Sequence, residues 1–195
     1  DKGYDWSKNL AGQIHDGSQT LLPHTIVTGF PPWDAVKDRF VELITKETIE
    51  YAGACYDTTG INFNQMKPEG VKVELDGIWA TIQKPGDYNP VHTHDGHIAG
   101  TAFVKVPKHI SRSTREEQIE NNEELDMDGS LNFIYGRSWS IENFSLGGSY
   151  RVDPEVGSAH IFPCWLNHVV YPFKGDSTDL NHDRISIAWN FRLVA

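Results

Sequence analysis

The chemistry-bearing residues of this chain concentrate in the run Asn89-Pro90-Val91-His92-Thr93-His94-Asp95-Gly96-His97. Side chains two apart on a strand project to one face, so His92 and His94 can reach one metal ion from a single stiff segment. A third ligand must come from elsewhere. His168 suits the role, because it lies between the aromatic-rich Phe162-Pro163-Cys164-Trp165 turn and the β-branched pair Val169-Val170. Asp95 competes with His94 for the second position, since Fe(II) sites that activate dioxygen commonly use two histidines and one carboxylate and leave three positions open. Asp95 directly follows His94, so on a regular strand it faces the other way and needs a bulge to join the site. His97, in a turn beyond the pair, is expected to hydrogen-bond and not to ligate. His15, His24, His109, His160 and His182 are expected to be structural or exposed.

A second group of residues suits an anion. In Arg184-Ile185-Ser186-Ile187-Ala188-Trp189-Asn190-Phe191 the polar and small side chains alternate strictly with the large apolar ones. Arg184 and Ser186 therefore share a face. A guanidinium can hold both oxygens of a carboxylate while the hydroxyl donates a third hydrogen bond. Taken alone, the same pattern is an exposed polar face on an edge strand. Sixteen residues after a candidate metal ligand, the carboxylate receptor is the better reading.

These side chains need a frame of short strands. Asp34 can cap a helix whose apolar positions are Val36, Phe40, Leu43 and Ile44, with Gly53 as its stop. From Val71 the period becomes two: Val71, Val73 and Leu75 alternate with charged residues, Asp76-Gly77 reads as a turn, and Ile78, Ala80 and Ile82 resume the alternation. Trp79, Thr81 and Gln83 then share a face that can line a pocket, with Trp79 equally suited to the core. Further strands are expected at about 90–95, 99–106, 131–135, 138–144, 149–152, 158–163, 168–172 and 184–193. Many short strands broken by Gly, Pro and Asp predict a mainly β sandwich or jelly roll and not a βαβ fold. The expected organisation is one domain over 1–195, with a helical and loop-like flank at 1–70 and a β-helix core at 71–195. The acid-rich run 111–128 reads as a solvated loop or exposed helix, or alternatively as a lid.

The bulk composition excludes several classes. A hydrophobic fraction of 38%, with six Trp and nine Phe, suits a folded core. A net charge of −10 repels phosphate backbones and argues against a broad nucleic-acid-binding face, though not against a small anion on a buried arginine. Cys55 and Cys164 form no CxxC pair, so neither a zinc ribbon nor a disulfide framework is indicated. No apolar run is long enough to span a bilayer. A cytoplasmic, reducing compartment is expected (the host cytoplasm if the source is viral). The expected partners are a small-molecule or peptide substrate, with a homodimer as the candidate assembly.

Taken together, these residues resemble the 2-oxoglutarate and Fe(II)-dependent oxygenases, in particular small members from marine bacteria and phages. The resemblance covers about residues 72–193. It is carried by Lys84-Pro85-Gly86-Asp87-Tyr88-Asn89, then His92-Thr93-His94, Gly100 before an apolar strand, Gly157, the segment from Phe162 to His168, and Arg184-Ile185-Ser186. It implies a double-stranded β-helix holding one Fe(II), with 2-oxoglutarate as co-substrate. His92 matches the first ligand and His168 the distal histidine, while Arg184 and Ser186 match the pair that holds the C5 carboxylate. The implied reaction is a dioxygenase reaction in which decarboxylation of 2-oxoglutarate to succinate and carbon dioxide accompanies oxidation, by default hydroxylation, of a substrate. His94 stands where the wider superfamily has an acid, His160 where an aliphatic residue is expected, and the 111–128 insertion is long.

Two other classes fit parts of the pattern. A metal-dependent cupin that does not use 2-oxoglutarate matches Gly86 followed by His92-x-His94, but Ile98 and Ala99 stand where its glutamate is expected. A non-enzymatic jelly roll, binding sugar or serving as a structural part, needs none of the histidines.

Overall fold

The period-two alternation that begins near Val71 does not break at Asp76-Gly77. In the computed structural model, which describes residues 4–5, 19–21, 35–59, 72–121, 123, 126–136 and 147–194, it forms one continuous strand, β3 (Lys72–Gln83). Asp76 is an extra residue in that strand, because Asn190 pairs with Gly77 while Phe191 pairs with Leu75. The expected turn is therefore a β-bulge. An extra residue reverses which side chains face inward. Val73 and Leu75 face the same apolar cluster as Ile78 and Ala80, and the alternate residues Gly77, Trp79, Thr81 and Gln83 turn toward a cavity.

The remaining strands are β1 (Tyr4–Asp5), β2 (Gln19–Leu21), β4 (Asn89–His92), β5 (Ile98–Lys105), β6 (Leu131–Gly136), β7 (Gly147–Val152), β8 (Ala159–Pro163), β9 (Asn167–Val170) and β10 (Arg184–Val194). They build a six-stranded sheet in the order β1-β2-β3-β10-β5-β8 and a four-stranded sheet in the order β4-β9-β6-β7. Every pairing is antiparallel. The fold is mainly β and of the cupin-like jelly-roll class. The strand expected at 138–144, the cap at Asp34, and His15 and His24 lie outside the described residues.

Two apolar clusters hold the layers. Phe103, Leu131, Phe133, Val152 and Phe162 join strands of both sheets in the interior. On the outer face of the larger sheet lies helix α1 (Lys37–Thr59), which places Ile44, with Phe40, Tyr51 and Ala52, against Ile78, Ile98, Trp189 and Phe191. The helix runs through Gly53, which therefore does not stop it. Leu43, expected on the buried stripe, is 53% exposed, as is Val36 at 52%; the inward positions are Phe40, Ile44 and the fully buried Thr48. Four residues, just over one turn, separate each of these, so the true stripe runs at i, i+4, i+8. Gly100 is required by this packing. A Cβ there would lie 2.3 Å from Cε2 of Trp189, its cross-strand partner on β10.

The turn from β3 to β4 carries the chain from one sheet to the other. Asp87 N–H donates to Lys84 O at 3.0 Å, with Pro85 and Gly86 (φ 89°) at the central positions, and the Asp87 carboxylate accepts from Lys84 N–H at 2.7 Å. Pro then Gly at those positions is the type II turn pattern. A 3-10 turn (Lys108–Ile110) leads into the acid-rich insertion, which contains a helix, α2 (Arg112–Glu120), with Ser111 as N-cap. Its acids are largely solvated as expected, but Arg115 is buried and ion-paired to Asp126 and Asp153, each at 3.1 Å. No described residue of 111–128 lines the cavity described below, so the lid reading finds no contact there.

Candidate metal centre

Three of the sequence candidates meet at one point. His92 and His168 are directly opposite in register on β4 and β9, with ring centroids 4.2 Å apart. His94 joins them, and ligand atoms of the three imidazoles lie within 4.8 Å of one another. This is the one such cluster of His, Cys, Asp or Glu among the described residues. His94 does not arrive by strand alternation, because β4 ends at His92. A backbone clasp places it: His94 N–H donates to Cys164 O, Cys164 N–H donates to His97 O, both at 2.9 Å, and the Cys164 thiol donates to Asp95 O at 3.3 Å. Gly96 lets the chain reverse beyond it, with φ at 100° and no room for a side chain beside Phe191 O. The exposed Asp95 stands outside the histidine cluster. His97 accepts from Leu193 N–H at 3.0 Å through Nδ1, a hydrogen-bonding role as expected.

The hydrogen bonds around the rings set their tautomers. Carbonyls only accept, so His92 Nδ1–H donates to Pro90 O at 2.7 Å and His168 Nδ1–H donates to Leu166 O at 2.9 Å. Each ring then presents an unprotonated Nε2, the form a metal requires, with an outer hydrogen bond holding its orientation. Burial lowers the pKa of all three. His94 falls to about 3, by burial and then by His168 and His92; His168 falls to about 4, by burial and then by His92; His92 is also lowered. The rings are therefore neutral near pH 7. His94 Nε2 and His168 Nε2 are 3.1 Å apart. Two ligands at right angles on a metal, each at about 2.1 Å, would stand about 3 Å apart. The donor set, tautomers and spacing all fit a divalent transition metal such as iron.

The same histidines line a cavity of about 370 Å³ between the sheets. Trp79 lies 5.7 Å from His94 and Phe162 lies 4.9 Å from His168, ring to ring, so the histidines are walled by aromatic surface. Arg184 and Ser186 line the cavity too, together with Ala188 and Asn190. This is the face expected from alternation, while Trp189 and Phe191 pack under α1. The strand is not an edge: β10 lies between β3 and β5.

Arg184 is 2% exposed, and burial pushes its guanidinium down to about 9, leaving it charged at neutral pH. Its Nη1 donates to Gly129 O at 2.7 Å and its Cζ lies 5.7 Å over the Phe103 ring. Its Nε has no hydrogen-bond partner, and no described carboxylate forms an ion pair with it. A buried cation without a counter-charge is costly unless an anion is supplied from outside. Asn89, not singled out from the sequence, also reaches the site: its Nδ2 lies 3.5 Å from His92 Nε2. Its place at the end of the Lys84-to-Asn89 motif was the available signal.

A family model described as "Putative 2OG-Fe(II) oxygenase" matches residues 77–190. No curated protein matches the sequence. Among solved structures, the chain is similar to an oxidoreductase of the 2OG-Fe(II) oxygenase family from Burkholderia pseudomallei, with 8% identity, a TM-score of 0.42, and coverage of 63% of this chain and 46% of the other. It is also similar to oxalate oxidase in complex with glycolate, with 15% identity, a TM-score of 0.33, and coverage of 65% and 54%. A third is hydroxypropylphosphonic acid epoxidase from S. wedmorenis, with 12% identity, a TM-score of 0.28, and coverage of 60% and 43%. The chain thus spans less than two thirds of each of these structures.

Proposed function

This chain belongs to the 2OG-Fe(II) oxygenase family, and from that premise we propose that it is a 2-oxoglutarate-dependent dioxygenase acting on a small molecule or peptide. In this reading His92, His94 and His168 hold Fe(II), Arg184 and Ser186 hold the C5 carboxylate of 2-oxoglutarate, and the substrate is hydroxylated as succinate and carbon dioxide are released. One observation carries it: a buried, uncountered guanidinium opens into the same cavity as three neutral imidazoles.

Family membership implies Fe(II) and 2-oxoglutarate, which together supply the activation of dioxygen. The chain's own residues have separate tasks. Pro90 O and Leu166 O fix two histidine rings as neutral ligands. Three neutral ligands leave the metal's full positive charge to attract an anionic co-substrate. Arg184 offers Nε–H to the distal carboxylate, and Ser186 a hydroxyl on the same strand face. Trp79, Phe103 and Phe162 reduce water access to the cavity and strengthen every charge interaction within it.

The test is anaerobic titration of Fe(II)-loaded protein with 2-oxoglutarate. A visible charge-transfer band should appear in the wild type, and Arg184→Ala should need far more co-substrate to produce it. A band that fails to appear, with iron bound, would overturn the reading in favour of a cupin that does not use 2-oxoglutarate.

A further inference from the structure

Beside Arg184, a second buried donor is without a partner. Gln83 ends β3 directly opposite Arg184 on β10, and the two line the same cavity. Side chains directly opposite on antiparallel strands share a face, with Cβ atoms about 5 Å apart. Gln83 is 1% exposed, and its Nε2 has no hydrogen-bond partner among the described residues. An unpaired buried amide is a standing cost, and such groups are rare in folded proteins. A well-packed apolar residue would remove that cost, so the carboxamide needs another reason.

Its chemistry narrows the partner. The free atom is a nitrogen that only donates. The neighbouring Arg184 Nε is likewise an unpartnered donor, and Ser186 lies next but one along β10, opposite Thr81. A cluster presenting N–H groups from two adjacent strands is complementary to a group that only accepts, and a carboxylate is one. We propose that Gln83 is a further binding residue for the co-substrate, its Nε2–H₂ donating to the distal carboxylate that Arg184 neutralises. This rests on the co-substrate reading above and extends it. Arginine supplies charge, and Gln83 supplies position: a carboxylate one carbon nearer or farther would keep its attraction to Arg184 but lose the amide. Gln83 therefore sets the preferred chain length of the 2-oxo acid.

Calorimetry on anaerobic Fe(II)-loaded protein tests this with two probes, 2-oxoglutarate and 2-oxobutyrate, which lacks the distal carboxylate. Gln83→Met keeps the volume and removes the donor. It should weaken 2-oxoglutarate binding roughly tenfold or more, the worth of a hydrogen bond to a charged group, and leave 2-oxobutyrate binding and iron content unchanged. The thermal midpoint of the ligand-free variant should hold or rise, because an unpaired buried donor has gone. Gln83→Glu should place a carboxylate beside Arg184 and abolish 2-oxoglutarate binding in a folded protein; this variant decides the matter if Gln83→Met is unstable. Wild-type affinity for 2-oxoglutarate in either variant, or an equal loss for both probes, overturns the inference. If Arg184→Met meanwhile loses 2-oxoglutarate, the co-substrate reading survives alone. A wild type that binds no 2-oxoglutarate overturns that reading itself, and the inference with it.

Discussion

His92 and His168 face each other across β4 and β9 only because β4 carries an irregularity. Asn89 pairs with Val170 and His92 with His168, so three residues on one strand span two on the other. The extra residue turns His92 toward the cavity, where Asn89 also points. The second ligand candidate is set differently, by the clasp between His94 and Cys164. That clasp holds the backbone on both sides of Asp95 while leaving its carboxylate exposed.

Substitution at 94 and 95 should therefore separate cleanly. His94→Ala should lower Fe(II) affinity by more than about a hundredfold, since even outer-shell changes cost 10- to 100-fold. Asp95→Ala should bind iron like the wild type. Competition against a chelator of known affinity measures both. The reverse result would mean that the carboxylate swings in to replace the imidazole when metal binds.

Arg184 makes a prediction about the ligand-free protein. Its guanidinium is desolvated without a compensating charge, so Arg184→Met should leave the unfolding midpoint within a few degrees of the wild type. Adding 2-oxoglutarate to Fe(II)-loaded wild type should raise the midpoint, by about 2.7 kcal/mol of stabilisation at a hundred times its dissociation constant. The variant should show no such rise. Differential scanning calorimetry in the absence of oxygen reads both effects.

Much of this arrangement was legible in the residues, for a physical reason: periodicity reports which side chains share a face. It placed Arg184 and Ser186 together on β10, and Trp79, Thr81 and Gln83 together on β3. Periodicity does not report which face is buried when the stripe is short, so Leu43 was misplaced on α1. Turn chemistry was ambiguous as well. Asp-Gly marks a tight turn or a bulge equally, and only the pairing of β3 with β10 decides between them. His94 was picked out by strand alternation although its position comes from a contact with Cys164, seventy residues away, that no local pattern encodes.

The Gly100–Trp189 contact should be the least forgiving in the outer core. A methyl at 100 would overlap the indole, and Trp189 is 1% exposed, packed between the sheet and α1. Gly100→Ala should cost about 1–3 kcal/mol, the usual range for overpacking. Urea denaturation measures the loss. A neutral result would show that the helix can shift outward to accommodate the ring.

The charged insertion makes a pH-dependent prediction through Arg115. Its side chain is 3% exposed and pairs with Asp126 and Asp153, and it donates to the Asp126 and Asp128 carbonyls, pinning the 126–128 segment beneath α2. Burial alone would raise the Asp126 carboxyl. The Asp128 N–H, the hydrogen bond and charge of Arg115, and Lys174 together outweigh it and hold the carboxyl below its ordinary 3.8. A carboxyl depressed on folding contributes stability above its unfolded value and loses it as pH falls through the folded value. Arg115→Met should thus destabilise the protein at pH 7, by less than the roughly 3–5 kcal/mol lost when a fully buried pair is broken, because the Asp126 carboxylate left behind is half-exposed. The gap between variant and wild type should narrow as pH falls through 3.8, where Asp126 is half protonated in the unfolded wild-type chain. Asp126 is half-exposed, so the pH-dependent share should be only about 1 kcal/mol. Urea denaturation at pH 7 and pH 3 measures it. An equal gap at both would assign the whole loss to the carbonyl contacts of Arg115 and none to its charge.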